Sequence, residues 1–405
     1  MQSLLAPLRN DIYRRIWIAS LLSYFGVWIQ SVGSAWLMTS IAPTVDFVAW
    51  LQAAASLPPI IFTVFGGVLV DRFDHRLIYL IAQIIVLTIA MMLSVFDSMG
   101  VISPWLLLGL TFALESGSSL RYPAYQTTMS DVLPRDQIAS ALVLGSIGWN
   151  IARAAGPAIG GLIISLFGVS AAFAVNALCN IYVVFVLVQW RRRSAVSKKR
   201  GQSSVITEIW HGILHIRGAS TIRSAMLRCF IFTLFASSLW ALLPLVAKHS
   251  MNGSVSVYGW LLGALGAGAL GAASVINRLR QRFGIRRLLA LAVFCFAAAT
   301  FSLGTIHSMI FLLPILAIGG LGWMVSMSTF NLLVQLTAVD GFRGRVVSIY
   351  YVALFAGLAI GSWLWGYLAE RIGINICLVA AGAALFFSLA LYRSSSGSFS
   401  TELGS

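Results

Sequence analysis

Twelve stretches of this chain are apolar for long enough to cross a lipid bilayer, and most of the charge gathers in the short segments between them. That recurrence decides the fold class before any motif is read. The bilayer core has no water to satisfy backbone amides, so each crossing segment of about 20 residues must close its own hydrogen bonds as a helix. With a window of about 19 residues, the predicted spans are 16–39, 45–70, 77–96, 102–121, 138–166, 170–190, 222–247, 256–277, 287–306, 309–336, 346–368 and 374–392. A chain of 405 residues with 59% hydrophobic and 10% charged residues could not bury that much apolar surface as a soluble globule. The expectation is an all-α integral membrane protein of twelve transmembrane helices.

The net charge of +15 is a topology signal. Of 27 Lys and Arg, 24 fall at the termini or in even-numbered loops, Arg121 and Arg280 among them; Lys248 and Arg371 lie on the other side, and Arg153 inside a span. An even number of spans with this bias predicts both termini in the cytoplasm of a bacterial inner membrane and no nucleic-acid partner. Arg14 and Arg15 precede an apolar run without a small-residue cleavage site, so the first span is expected to be retained. Cys179, Cys229, Cys295 and Cys377 are isolated in or beside apolar spans, which predicts no disulfide framework and no metal site. No cofactor motif is present in the sequence.

The basic run RRRSAVSKKRGQSS, Arg191 to Ser204, separates six spans from six. The predicted organisation is therefore an N-terminal six-helix bundle at 1–190, a cytoplasmic linker at 191–221, a C-terminal six-helix bundle at 222–393 and a flexible tail at 394–405. Within the linker, Ile206, Ile209, Trp210, Ile213 and Leu214 share one helical face, the pattern of an amphipathic helix lying on a membrane. The halves echo each other. Gly156, Gly161 and Gly168 recur as Gly361, Gly366 and Gly373 at a constant offset of 205, and DRFDHR is echoed by QRFGIRR, Gln281 to Arg287. Two pseudo-repeat bundles of this kind suit alternating access about a midplane site.

Between the second and third spans lies GGVLVDRFDHR, Gly66 to Arg76, with Asp71, Arg72, Asp74 and Arg76 within six residues. Asp71 at the end of a span can cap a neighbouring helix or pair with arginine. In the fifth span Pro157 frees the carbonyl of Arg153, and Gly156, Gly160 and Gly161 allow close backbone approach. Glu115 and Arg153 are the clearest intramembrane charges, each a functional candidate because an idle charge in a span costs a few kcal/mol, about 3 on insertion scales. They could pair with each other, or Arg153 could hold an anionic substrate, or both could form a static bridge supporting the bundle.

These residues resemble the major facilitator superfamily. Gly67, Leu69, Asp71, Arg72 and Arg76 match its signature loop, with Asp74 and His75 departing from the usual form. NIARAAGPAIGG resembles its antiporter motif, with Ala152 at a usual glycine, and LLPL and FRGRVVS also fit. The variant DRFD resembles the branch of small-molecule exporters that includes the enterobactin exporter. The resemblance implies that Gly67, Asp71, Arg72 and Arg76 form a gating latch and that Gly156, Pro157, Gly160 and Gly161 form a hinge or seal. It implies too that spans one, four, seven and ten line the path. That brings Glu115, Tyr24, Trp28, Gln30, Trp240, Trp323, Asn331 and Gln335 to a cavity suited to a bulky aromatic or amphiphilic solute.

The implied function is secondary active transport: a proton-coupled exporter, or antiporter, of a small organic molecule such as a siderophore or drug-like amphiphile, acting as a monomer in the lipid bilayer. A lipid transporter of the same fold is the alternative. An intramembrane enzyme is a remote one, since no GxSxG, HExxH or Walker sequence occurs and the five histidines fall in predicted loops or at interfaces.

Overall fold

Ser103 and Pro104 show how the helices begin. The Ser103 hydroxyl accepts from the Leu106 amide at 3.2 Å, and Pro104 occupies a first-turn position that needs no donor. Asp74 caps the preceding helix in the same way, accepting from the Arg76 amide at 2.9 Å. The computed structural model describes residues 5–72, 74–190, 220–251, 253–337 and 343–390. Among them the helices are α1 (Asp11–Ile41), α2 (Asp46–Arg72), α3 (His75–Ser98), α4 (Pro104–Val132), α5 (Arg135–Phe167), α6 (Val169–Gln189), α7 (Ser220–Leu245), α8 (Val255–Leu303), α9 (Met309–Thr337), α10 (Arg343–Ile372) and α11 (Ile374–Ser388). The predicted linker helix and the tail lie outside the described residues, as does Phe73.

Helix α8 covers two predicted spans. It is broken at Gly284, whose φ of 72° and ψ of 158° are left-handed values that glycine alone adopts readily. Among the described residues, eight helices are long and apolar enough to cross a membrane, and Asp46–Phe62 and Ile374–Ser388 are shorter apolar helices. Helix α4 is not among the eight, for it carries Glu115 and Arg121 amid Ser, Thr and Gly.

Contacts gather the chain into two units. One falls within residues 1–41, 61–202 and 255–263; the other within 42–60, 203–254 and 264–405. The predicted halves thus each hand a short segment to the other grouping, and glycines account for both. In the first unit a Cβ on Gly161 would stand 3.1 Å from the Val255 carbonyl oxygen, and one on Gly259 would stand 2.7 Å from that of Pro157. In the second, a Cβ on Gly366 would stand 2.3 Å from that of Ala49, and Glu370 accepts from the Val45 amide at 2.7 Å. Gly161 and Gly366 are the matched positions of the internal repeat. So are Gly168 and Gly373, which end α5 and α10 at φ 85° and 92°. The repeat read in the sequence therefore marks equivalent terminations and equivalent close approaches.

Within the first unit α1 packs on α5 and α6, and α3 on α4 and α6; within the second, α7 packs on α9, α10 and α11. Large apolar side chains such as Leu166, Phe185, Ile310 and Phe387 remain exposed on the outer faces, where lipid would solvate them.

Candidate functional site

The first unit holds a chain of buried polar side chains. On α1, Ser23, Gly26 and Gln30 share one face at helical spacing, and on α6 Asn176 and Asn180 face them. Asn176 Nδ2 donates to Gln30 Oε1, and Asn180 Nδ2 donates to Asn176 Oδ1 at 2.8 Å. Asn180 Oδ1 accepts from Ser23 Oγ at 3.0 Å and from Gln83 Nε2 of α3 at 3.2 Å. The helices come this close because a Cβ on Gly26 would lie 2.4 Å from Asn176 Oδ1.

Arg121 ends the chain. Its Nη1 donates to Ser23 Oγ at 2.6 Å, its guanidinium carbon lies 5.7 Å from the Tyr24 ring centroid, and the residue is 8% exposed. From the sequence Arg121 is expected among the loop charges. The structure corrects this because α4 continues to Val132 and carries Arg121 inside the bundle. Its importance is electrostatic. The positive charge of Arg121 acts on Glu115. Among the described residues Glu115 makes no hydrogen bond and no ion pair at contact distance. Thr111 and Ser118 lie one turn either side of Glu115 on the same face of α4, and their buried hydroxyl oxygens have no partner among the described residues.

The remaining expected positions divide. Tyr24 meets Trp149 edge-on at 5.2 Å and Trp28 lies 5.8 Å from the same ring; Arg153 is one turn along α5 from Trp149. Gln30, expected to line a cavity, is closed into the asparagine chain at 4% exposure, its amide being used to join α1 to α6. Trp323 is also buried, packed among Phe232, Phe296 and Trp240 at 5.3 to 5.8 Å. Asn331 Nδ2 donates to the Tyr351 hydroxyl at 3.3 Å, and exposed Gln335 donates through Nε2 to Asn331 Oδ1.

Of the expected latch, Gly67, Asp71 and Arg72 end α2, and their side chains lie outside the described part. Arg76 is committed within its own unit: its Nε and Nη2 donate to the Leu187 carbonyl at 3.1 and 2.9 Å, and Nη2 to that of Val188 at 3.1 Å, satisfying the last turn of α6. His75, expected in a loop, is the buried first residue of α3, with Nε2 2.6 Å from Asp131 Oδ2 near the end of α4. Gly156, Pro157, Gly160 and Gly161 line up along α5, where Cβ atoms on Gly156 and Gly160 would meet Trp28 Cβ at 2.7 Å and Ile29 Cα at 3.0 Å. Among the described residues no group of His, Cys, Asp and Glu is arranged to hold a metal ion.

The signature of the transmembrane secretion effector family, a major facilitator family, matches residues 2–397. The chain belongs to that family. This transporter is 23% identical over 367 residues to the staphyloferrin A transporter of Staphylococcus aureus, covering 88% of this chain and 89% of that one. It is also 23% identical over 379 residues to the multidrug efflux pump Tap of Mycobacterium tuberculosis, covering 90% and 88%. A solved D-xylose–proton symporter shares the fold with a TM-score of 0.73 at 14% identity, over 96% of this chain and 98% of the other. The protein is thus a multi-pass membrane transporter of the major facilitator fold, acting on small organic substrates, and not an enzyme.

Proposed function

We propose that this transporter exports a small organic molecule from the bacterial cytoplasm in exchange for protons, by alternating access of two six-helix halves, as a monomer with both termini inside. The observation that carries the reading is Glu115. A static buried bridge gains from closing to contact, since the Coulomb term must offset two desolvation costs. Glu115 instead stands within the field of Arg121 with no hydrogen bond among the described residues, between two hydroxyls that can relay a proton. Protonation from outside would release the Arg121 field onto Ser23 and the α1 aromatic face, and deprotonation inside would restore it. The relatives named above support an exported solute that is bulky and amphiphilic, a siderophore or drug-like compound, and Tyr24, Trp28 and Trp149 offer it aromatic faces.

The latch in this proposal rests on Asp71, at the end of α2, where the chain turns within three residues into the Asp74 cap of α3. The echo in the second half has Gln281 in its place. Asp71→Asn is therefore expected to shift the inward–outward balance more than Arg282→Gln does, read as reactivity of single cysteines placed at the two ends of α1. Equal shifts in the two variants would remove the asymmetry and the latch with it. Transport by the whole protein in sealed vesicles under an imposed pH gradient tests coupling itself.

A further inference from the structure

Three arginines stand at alternate positions near the Gly284 break in α8. Arg278 and Arg282 are exposed, as charges that set topology should be. Arg280 turns the other way. Ala272, Ile276 and Arg280 follow at four-residue spacing along one helix face, and Ala272 and Ile276 on that face are buried against Val325 of α9, with Met324 packed beside them. Arg280 Nη2 donates to Ser328 Oγ on α9 at 2.8 Å, and its Nε is buried with no hydrogen-bond partner. Among the described residues no carboxylate pairs with Arg280.

Ser328 begins a polar stripe. Asn331 and Gln335 follow it at helical spacing on α9 and are hydrogen-bonded in series to the Tyr351 hydroxyl of α10. Tyr351 in turn stacks with Phe355 at 6.4 Å and 28° between ring planes. A guanidinium with an unused inward donor, two amides and an aromatic shelf are therefore gathered in one unit. Partial burial of a cation without an anion is costly, and a planar oxyanion is the group that matches its fork of donors.

We propose that Arg280 with Ser328, Asn331, Gln335 and Tyr351 is a recognition site for the carboxylate of an aromatic or amphiphilic organic anion. This rests on the reading that α9, the tenth predicted span, meets the transported solute, and it adds the sign of the solute's charge and the residue that reads it. Arg280→Lys would keep the charge but lose the fork, so it should bind the same anion more weakly.

The test is equilibrium binding to the full purified protein, followed by tryptophan fluorescence, of naphthalene carboxylate and of its neutral methyl ester. Wild type is expected to prefer the carboxylate by about tenfold or more, the scale of one charge-assisted hydrogen bond. Arg280→Gln should abolish that preference, Arg280→Lys and Ser328→Ala should reduce it, and Arg278→Gln should leave it intact. Equal binding of acid and ester by wild type, no binding of either, or a preference that survives in Arg280→Gln overturns the proposal. So does Arg280-dependent binding of phosphatidylglycerol in lipid nanodiscs that the carboxylate cannot displace, since the oxyanion would then be a lipid headgroup. Should Arg280→Gln fail to fold, the lysine and Ser328 variants carry the comparison. No pH gradient enters this measurement, so its failure and a failure of proton-coupled export are separable.

Discussion

Glu115→Gln should bind solute as wild type does and lose gradient-driven transport. The glutamine is nearly isosteric and neutral, so it mimics the protonated acid permanently. In the proposed cycle one protonation state favours the outward return and the other the inward one, and a residue fixed in either state can exchange solute but cannot couple it to protons. An effect of at least a hundredfold on concentrative transport is expected, because a population shift from mostly one state to mostly the other takes several kcal/mol, about 5.5 for a complete reversal. Solute-for-solute exchange should persist. If concentrative transport survives in Glu115→Gln, the acid is a bystander. If exchange is lost as well, the substitution has damaged the bundle and the coupling assignment passes to Arg121→Lys, which keeps the charge acting on Glu115 but alters its grip on Ser23.

The second large effect concerns stability. Asn180 receives Ser23 and Gln83 on one oxygen, tying α6 to α1 and α3, and its nitrogen donates to Asn176 within α6. Asn180→Leu removes all of these. Interhelical hydrogen bonds in membranes average only about 0.6 kcal/mol, so the two lost to Ser23 and Gln83 cost about 1 kcal/mol. The groups left behind matter as much: Asn176, Gln83 and Ser23 are fully or nearly fully buried, and a stranded buried polar group costs about 1–3 kcal/mol. The gain from burying a leucine side chain, about 2 kcal/mol, offsets only part of this. A fall of about 5 °C or more in the unfolding midpoint is expected, against no change for Leu178→Ala on the exposed face of the same helix. An unchanged midpoint in Asn180→Leu would show that the polar chain is not what holds α1, α3 and α6 together.

Much of the fold was legible because lipid leaves a chain so few choices. Apolar length marked the helices, and the 205-residue echo of Gly156, Gly161 and Gly168 marked positions where backbones meet and helices end. Span limits were less legible where polar residues enter a helix. The apolar window of the fourth span ends at Arg121, yet α4 runs eleven residues further, to Val132. The site suffered from the same bias. Single charges such as Glu115 and Arg153 stand out in an apolar span, whereas Asn176 and Asn180, four apart and facing Ser23, Gly26 and Gln30, carry no charge to mark them. Their spacing was the available signal. Arg280 reads in the sequence as one more topology charge, since only the packing of its helix face against Val325 distinguishes it from Arg278 and Arg282.

Inverted membrane vesicles carrying the transporter, with an acid interior imposed and a panel of aromatic acids, cationic dyes and siderophores outside, test the central claim most directly. Proton-coupled export predicts that at least one solute accumulates against its gradient in the wild-type vesicles, that a protonophore collapses the accumulation, and that Glu115→Gln vesicles never build it. Accumulation that is the same with and without the imposed gradient would contradict the account.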